Sequence, residues 1–364
     1  MSTWRLVPRP QPSQAMLLAA PLLAIVLTLL AGLAVFASLG QNPLTALRVF
    51  FIDPVSDING VTELLLKASP LCLIALGLAI GFRASIWNIG AEGQMYMGGI
   101  FATGLAITFG GTGGWWLLPA MVLAAALGGA LWASIAALCR AQFHANEILV
   151  SLMLTYVADL LVKYLVFGPW QDPNGNNFPF TVQFEDDALF SLFASWGWEW
   201  LEGTRLNSSL LLTLVAIPLA WIFMEKSFAG FQLSVTGLAP AAARYAGFPH
   251  KRMVWIALLI SGAAAGIAGA SEVAGPIGQL NDRWTPGYGF TAIIVATLGR
   301  MHAGGIVLAS LLMALLYLGG ESAQIALQLP KAISQVFQGL LLMFLLGSDV
   351  LVNYRFAPVA AKAG

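Results

Sequence analysis

Leu71-Cys72-Leu73-Ile74-Ala75-Leu76-Gly77-Leu78-Ala79-Ile80-Gly81-Phe82 carries no charge and no alternation of apolar with polar residues. A half-buried strand alternates with period two, and a surface helix shows a polar stripe. This run does neither. Extended back to Thr62, it reaches the roughly 20 residues that a helix needs to cross a hydrocarbon core about 30 Å thick. Inside that core every backbone N–H and C=O must be paired, within a helix or within a closed barrel whose strands alternate. The segment therefore reads as a membrane-spanning helix.

Outward from 62–82, comparable runs occur near 15–39, 86–109, 115–138, 146–168, 208–224, 253–274, 287–299, 303–322 and 332–347. They predict about ten transmembrane helices, or nine if the short, glycine-bearing 287–299 is excluded. Composition agrees: 59% of the 364 residues are hydrophobic, 9% are charged, and the mean hydropathy is +0.81. Soluble domains carry roughly 25% charged residues to solvate their exterior. Lipid must do that work here, so the fold class is all-α, a polytopic integral membrane protein with one transmembrane domain over residues 1–364. The run 15–39 follows Arg5 and Arg9, but it is too long for the apolar part of a signal peptide and is taken as the first span.

Charge sets the orientation. With the N-terminus in the cytosol, Arg5, Arg9, Arg83, Arg140, Lys226, Arg244, Lys251, Arg252, Arg300, Arg355 and Lys362 fall inside, and only Arg48, Arg205, Arg283 and Lys331 fall outside. Lys67 and Lys163 lie within spans. The positive-inside rule then puts both termini in the cytosol. The polar insertion 169–207 becomes an extracytoplasmic loop with acidic residues beside tryptophans, able to dock a partner or to cap the bundle. Residues 226–252 become the largest cytosolic loop. A formal net charge of +0 gives no attraction to nucleic acid.

Catalytic chemistry is missing from the pattern. His144, His250 and His302 stand at span ends without companions at metal or triad spacing, and Cys72 and Cys139 sit in apolar runs. No metal is expected, and the chain does not read as an enzyme. A P-loop needs Gly-Lys followed by Ser or Thr, yet no lysine here follows a glycine. Energy from ATP would have to come through another subunit.

Three segments carry polar or turn chemistry at membrane depth. In Trp87-Asn88-Ile89-Gly90-Ala91-Glu92-Gly93-Gln94, polar groups too costly to face hydrocarbon must face a cavity or the bundle interior, and the glycines permit a broken helix. Asn88 and Gln94 could bond a base or sugar, Glu92 could accept from hydroxyls and Trp87 could stack; the alternative is a tight helix–helix contact. In the cytosolic loop, Pro240 opens and Gly247 closes a helix of about two turns, too short to stand alone. It contains Ala242, Arg244 and Tyr245 and needs something to pack against. The third segment, Thr285-Pro286-Gly287-Tyr288-Gly289-Phe290-Thr291, starts at the outer face with glycines and an aromatic pair, after a span made small-faced by Gly262, Gly266 and Gly269. Asp159 and Lys163, four apart, read as a neutralised pair.

Together these segments resemble the permease subunits of ABC nucleoside and simple-sugar uptake systems, the branched-chain amino acid and ribose type, with Asn88 to Gln94 similar to the purine-nucleoside branch. Ala242 to Gly247 and Pro286 to Thr291 are similar to its other recurring segments. The likeness runs from about Glu63 to Leu346 and departs from the pattern at Trp87, Thr155 and Ala239. It implies a multi-pass protein of the bacterial plasma (inner) membrane that forms the pathway for nucleosides or related sugars. Trp87, Asn88, Glu92, Gln94, Tyr288 and Phe290 would then line the pathway, and Pro240, Ala242, Arg244, Tyr245 and Gly247 would couple it to the ATPase. The implied partners are cytosolic ATPase subunits that hydrolyse ATP, a second permease chain, an extracytoplasmic solute-binding lipoprotein and the bilayer. The chain itself would hold no cofactor. The rival expectation is an ion-coupled secondary transporter with its ion site at Glu92 or at Asp159 and Lys163.

Overall fold

A computed structural model describes residues 4–9, 13–330 and 332–358. Lys331 and Lys362 lie outside the described residues. The helices are α1 (Gln14–Ser38), α2 (Pro43–Phe51), α3 (Ile58–Arg83), α4 (Ala91–Phe109), α5 (Leu117–Phe143), α6 (Glu147–Val166), α7 (Ser209–Lys226), α8 (Phe228–Leu238), α9 (Pro240–Tyr245), α10 (His250–Glu272), α11 (Tyr288–Leu298), α12 (Ala303–Leu327) and α13 (Ile333–Asn353). Two short strands, β1 (Trp4–Pro8) and β2 (Tyr354–Pro358), pair antiparallel with Trp4 opposite Pro358. Pairing brings the two ends of the described chain together.

Among the described residues, eight helices are long and apolar enough to cross a membrane. Helices α4 and α11 are the remaining two of the expected ten, and each departs from an ordinary span for a physical reason. Helix α4 opens on Glu92 and Gln94, both buried inside the protein. Helix α11 has eleven residues, which at about 1.5 Å per residue make about 16 Å, half the hydrocarbon thickness.

The packing divides into two compact units. The first comprises residues up to Ser56 and those from Leu315 onward. Here α1 lies along α13, and Phe36, Phe50 and Phe337 form an aromatic cluster with the Phe50 and Phe337 rings stacked 4.7 Å apart. Gly32 admits that cluster, since a Cβ there would lie 2.5 Å from the Phe337 ring.

The second unit, Asp57–Ala314, is organised around α10, which packs against α3, α4 and α5. Its glycines let backbones touch. A Cβ on Gly266 would lie 2.0 Å from the Ala125 carbonyl oxygen of α5, one on Gly129 would lie 2.1 Å from that of Gly262, and one on Gly269 would lie 2.3 Å from that of Met95 in α4. Small residues are the usual device for helix association in lipid, where apolar burial gives little drive.

Span ends assigned to one side by charge meet in space. At the inner ends, Arg83 donates to Glu225 (2.6 Å) and to the carbonyls of Met224 and Met301, and Arg140 pairs with Glu147. At the outer ends, Arg205 forms a two-pronged pair with Glu63. The 169–207 loop reaches the α4–α5 turn through Asp187, which accepts from the backbone N–H groups of Gly111 and Gly114 at 2.9 Å each. Those two bonds hold the Asp187 carboxyl below the usual carboxylate range.

Candidate functional site

Helix α3 ends at Arg83 and α4 begins at Ala91, so Ala84 to Gly90 interrupt two consecutive helices at the segment singled out above. Ser85 takes the left-handed conformation at φ 57°. A second interruption precedes α11: α10 closes with a π-helical turn, Val273–Ile277, and regular helix resumes only at Tyr288 after Gly287 at φ 95°. Backbone freed from a helix within a membrane protein needs other partners. The side chain that opens α4 supplies one to the second interruption.

Glu92, in the first turn of α4, accepts from the Thr285 hydroxyl at 2.9 Å and from the Gly289 backbone N–H at 2.5 Å. Gly289 is in the first turn of α11, where N–H groups lack helical partners and the helix dipole favours negative charge. The carboxylate thus caps a short helix that starts inside the protein. Contact is close enough to require glycine: a Cβ on Gly289 would lie 2.2 Å from the Glu92 backbone nitrogen.

Asn88 and Gln94 bond each other in both directions. Asn88 Nδ2 donates to Gln94 Oε1 at 2.7 Å, Gln94 Nε2 donates to Asn88 Oδ1 at 3.1 Å, and Asn88 Nδ2 also donates to Ser261 Oγ of α10 at 2.9 Å. The Gly90 N–H closes the Asn88 turn. All three polar side chains of the motif, Asn88, Glu92 and Gln94, are 2% exposed. In this conformation, their hydrogen-bonding capacity goes largely to one another, to Ser261 and to the α11 entrance. Helix α6 presses on the same corner, where Ser151 and Thr155 pack against Gly90 and Gly93.

The other expected pathway residues are placed differently. Tyr288 is buried beside Gly289, whereas Trp87 packs against Phe82 with the rings tilted and their centroids 4.4 Å apart and, like Phe290, stays partly exposed. Asp159 and Lys163 form the expected pair at 2.7 Å. Sequence reading did not single out Ser261 or Tyr96, and took Thr285 only as part of a turn. Each lies within an apolar or turn-like context, and only the meeting of distant segments gives it a role.

Pro240, Ala242, Arg244, Tyr245 and Gly247 gather between α8 and α10. Helix α9 spans Pro240–Tyr245, and Gly247 ends it at φ 74°. Tyr245 is 97% exposed, and Phe228, Phe231 and Phe248 form an aromatic group beside it in sequence. The preceding α8, which was not anticipated, touches the first interruption: a Cβ on Gly237 would lie 2.1 Å from the Arg83 carbonyl oxygen, and Ser85 Oγ donates to the Gly237 carbonyl at 3.4 Å.

Residues 60–346 match the family described as the permease component of branched-chain amino acid transport systems. The chain belongs to this permease family. It is similar to the glucose ABC transporter permease of Haloferax volcanii, with 37% identity covering 93% of this chain and 90% of that one. It is also similar to the guanosine ABC transporter permease of Bacillus subtilis, at 31% over 90% and 92%, and to a nucleoside ABC transporter permease of Lactococcus lactis, at 27% over 82% of each. The protein is a multi-pass membrane permease of the ABC type, belonging to a family of transport subunits.

Proposed function

We propose that this permease forms the translocation pathway of an ATP-driven importer in the plasma membrane and carries an uncharged, hydroxyl-rich ring solute, a nucleoside or a simple sugar. The observation that carries this reading is the convergence of two interrupted helices on a buried polar cluster, Asn88, Glu92, Gln94, Ser261 and Thr285. Discontinuous helices meeting inside the bilayer are the usual setting of transporter solute sites. The relatives named for glucose, guanosine and nucleosides share this solute chemistry. On this reading, Trp87, Tyr288 and Phe290 border the route, and Asn88, Glu92 and Gln94 hold its walls and exchange partners as it opens.

Energy enters from a separate ATPase subunit docked on α9 and the phenylalanines beside it, and solute arrives from an extracytoplasmic binding protein, with a second permease chain completing the pathway. Motion of α9 passes to α8, and from Gly237 to Arg83 and Ser85 at the edge of the first interruption. A conformational change does work only through the difference in binding between two states, and this short route joins the docking helix to the polar cluster.

Reconstituted vesicles test the reading. Uptake of labelled guanosine or glucose by the permease with its ATPase and binding protein should require ATP and should persist when proton and sodium gradients are collapsed. Uptake by the purified permease alone, driven by a gradient, would favour a secondary transporter instead.

A further inference from the structure

One face of α4 has work to do beyond the cluster just described. Glu92, Tyr96, Gly99 and Thr103 follow one another at spacings of four, three and four, which places them on a single face of the helix. The segment leading into α11 runs along that face: Glu92 meets Thr285, the Tyr96 ring meets the Trp284 ring edge-on at 5.8 Å, and Gly99 makes room for the indole, since a Cβ there would lie 2.8 Å from Trp284 Cζ2. Val273, the first residue of the π-helical turn, also faces Gly99. Turns of this kind occur often at functional sites. Thr103 is the next position along.

Two polar atoms here have no partner. Trp284 Nε1 and Thr103 Oγ1 are buried and unbonded, in residues 4% and 0% exposed. Both are unusual within this chain. Trp132 and Trp196 donate their indole N–H groups to the Leu154 carbonyl and the Ser191 hydroxyl. Helical threonines at 28, 108, 155, 236 and 297 bond the carbonyl four residues back, the ordinary way of satisfying a hydroxyl in lipid. Thr103 forgoes that bond to Gly99. A buried donor left unmade costs free energy, and such groups in native proteins call for a ligand, a water or a functional strain.

We propose that Thr103 and Trp284, with Tyr96 beside them, form a solute-contact subsite that takes an uncharged ring solute. The indole N–H donates to an acceptor on the solute, the Thr103 hydroxyl bonds a ring substituent, and the aromatic pair covers an edge of the ring. The proposal rests on the importer reading above and deepens it by naming residues that select the solute.

Thr103→Val keeps the shape and removes only the hydroxyl; Trp284→Phe keeps an aromatic side chain but removes the N–H together with the indole edge that packs at Gly99. Neither deletes a hydrogen bond made within the protein; for the isosteric Thr103→Val a merely structural role predicts an unchanged KM, whereas in Trp284→Phe lost packing lowers the melting midpoint without moving KM. In vesicles holding the complete importer, we expect KM for the transported probe to rise about 5- to 30-fold in each variant, the effect of one lost hydrogen bond, with the melting midpoint preserved in Thr103→Val. Guanosine, glucose and riboflavin serve as separate probes, and the one whose KM moves identifies the ring. Should Trp284→Phe fail to insert, the isosteric Thr103→Val decides alone. A KM within twofold of wild type for every transported probe overturns the subsite while leaving the importer reading intact. If the wild-type complex moves none of the probes under ATP, the importer reading fails and the subsite with it.

Discussion

Helix α10 takes part in two kinds of contact. Along Gly262, Gly266 and Gly269 it meets α5 and α4 backbone to backbone, with no side chain between them. At Ser261, one residue from that seam, its hydroxyl oxygen accepts from the Asn88 amide at 2.9 Å. The seam is held by close approach over many atoms, and any change of register would drive backbone into backbone. The polar corner is held by a few directional bonds, each of which can be exchanged for a bond to water or solute at modest cost. A transporter needs both properties: a part that moves as one body and a part whose bonds can be remade.

The largest expected effect comes from breaking the seam. Gly266→Val places a branched side chain where even a Cβ would lie 2.0 Å from the Ala125 carbonyl oxygen. The helices would have to separate, and overpacking of that kind costs on the order of 1–3 kcal/mol or more. Size-exclusion chromatography in mild detergent should show loss of the monodisperse peak. A variant that stays monodisperse with a wild-type melting midpoint would mean that α10 and α5 are not locked together.

Next comes the polar corner. Asn88→Ala leaves Gln94 and Ser261 without their partner, and Gln94→Ala leaves the Asn88 amide half-used; each should cost about 1–3 kcal/mol, the penalty of a buried unpaired group. The double variant should cost clearly less than the sum, because it removes the pair together. Additive losses in thermal unfolding of the four proteins would show that the two amides act independently.

A smaller structural effect with a larger functional one is expected at α9. Arg244→Ala with Tyr245→Ala touches two exposed side chains, so the melting midpoint should stay within the ±0.5 kcal/mol usual for surface changes. Uptake should nonetheless fall at least tenfold. Retained uptake together with retained ATPase docking would remove α9 from the coupling route.

Much of this was legible in the sequence because lipid imposes simple rules. All ten expected spans correspond to helices, and Arg83, Arg140 and Arg205 each join span ends assigned to the same side. The Asn88 to Gln94 segment announced itself because polar groups between apolar runs must be buried or wetted, and they are buried. The partners were not legible. Ser261 lies in a small-residue span, and Thr285 and Gly289 are about 190 positions from Glu92, so nothing local connects them. Trp284 and Thr103 look like an interfacial aromatic and an ordinary helical threonine until the α4 face is laid against the segment before α11. Helix α8 was missed because Phe228–Leu238 mixes glycine, glutamine, serine and threonine with its apolar residues and shows no clean period.

The smallest effect expected is where Asp187 ties the 169–207 loop to the turn between α4 and α5. Its carboxylate accepts from two backbone N–H groups, and Asn in its place can accept with one oxygen only, because the amide nitrogen would face the second N–H as donor against donor. The seam and the polar corner lie elsewhere, so Asp187→Asn should leave the melting midpoint and uptake near wild type. Amide exchange at Gly111 to Gly114 should nevertheless quicken. The pH dependence follows from the lowered pKa of the group. A depressed carboxyl gives its full attachment above the ordinary carboxylate range and loses it as pH falls through the lowered folded value. Protection of these amides in the wild type should therefore hold at neutral pH and at mildly acidic pH and fade only below the usual carboxylate range, while in Asp187→Asn it should be low and flat throughout. Equal protection in the two proteins across that range would show that this carboxylate does not hold the loop.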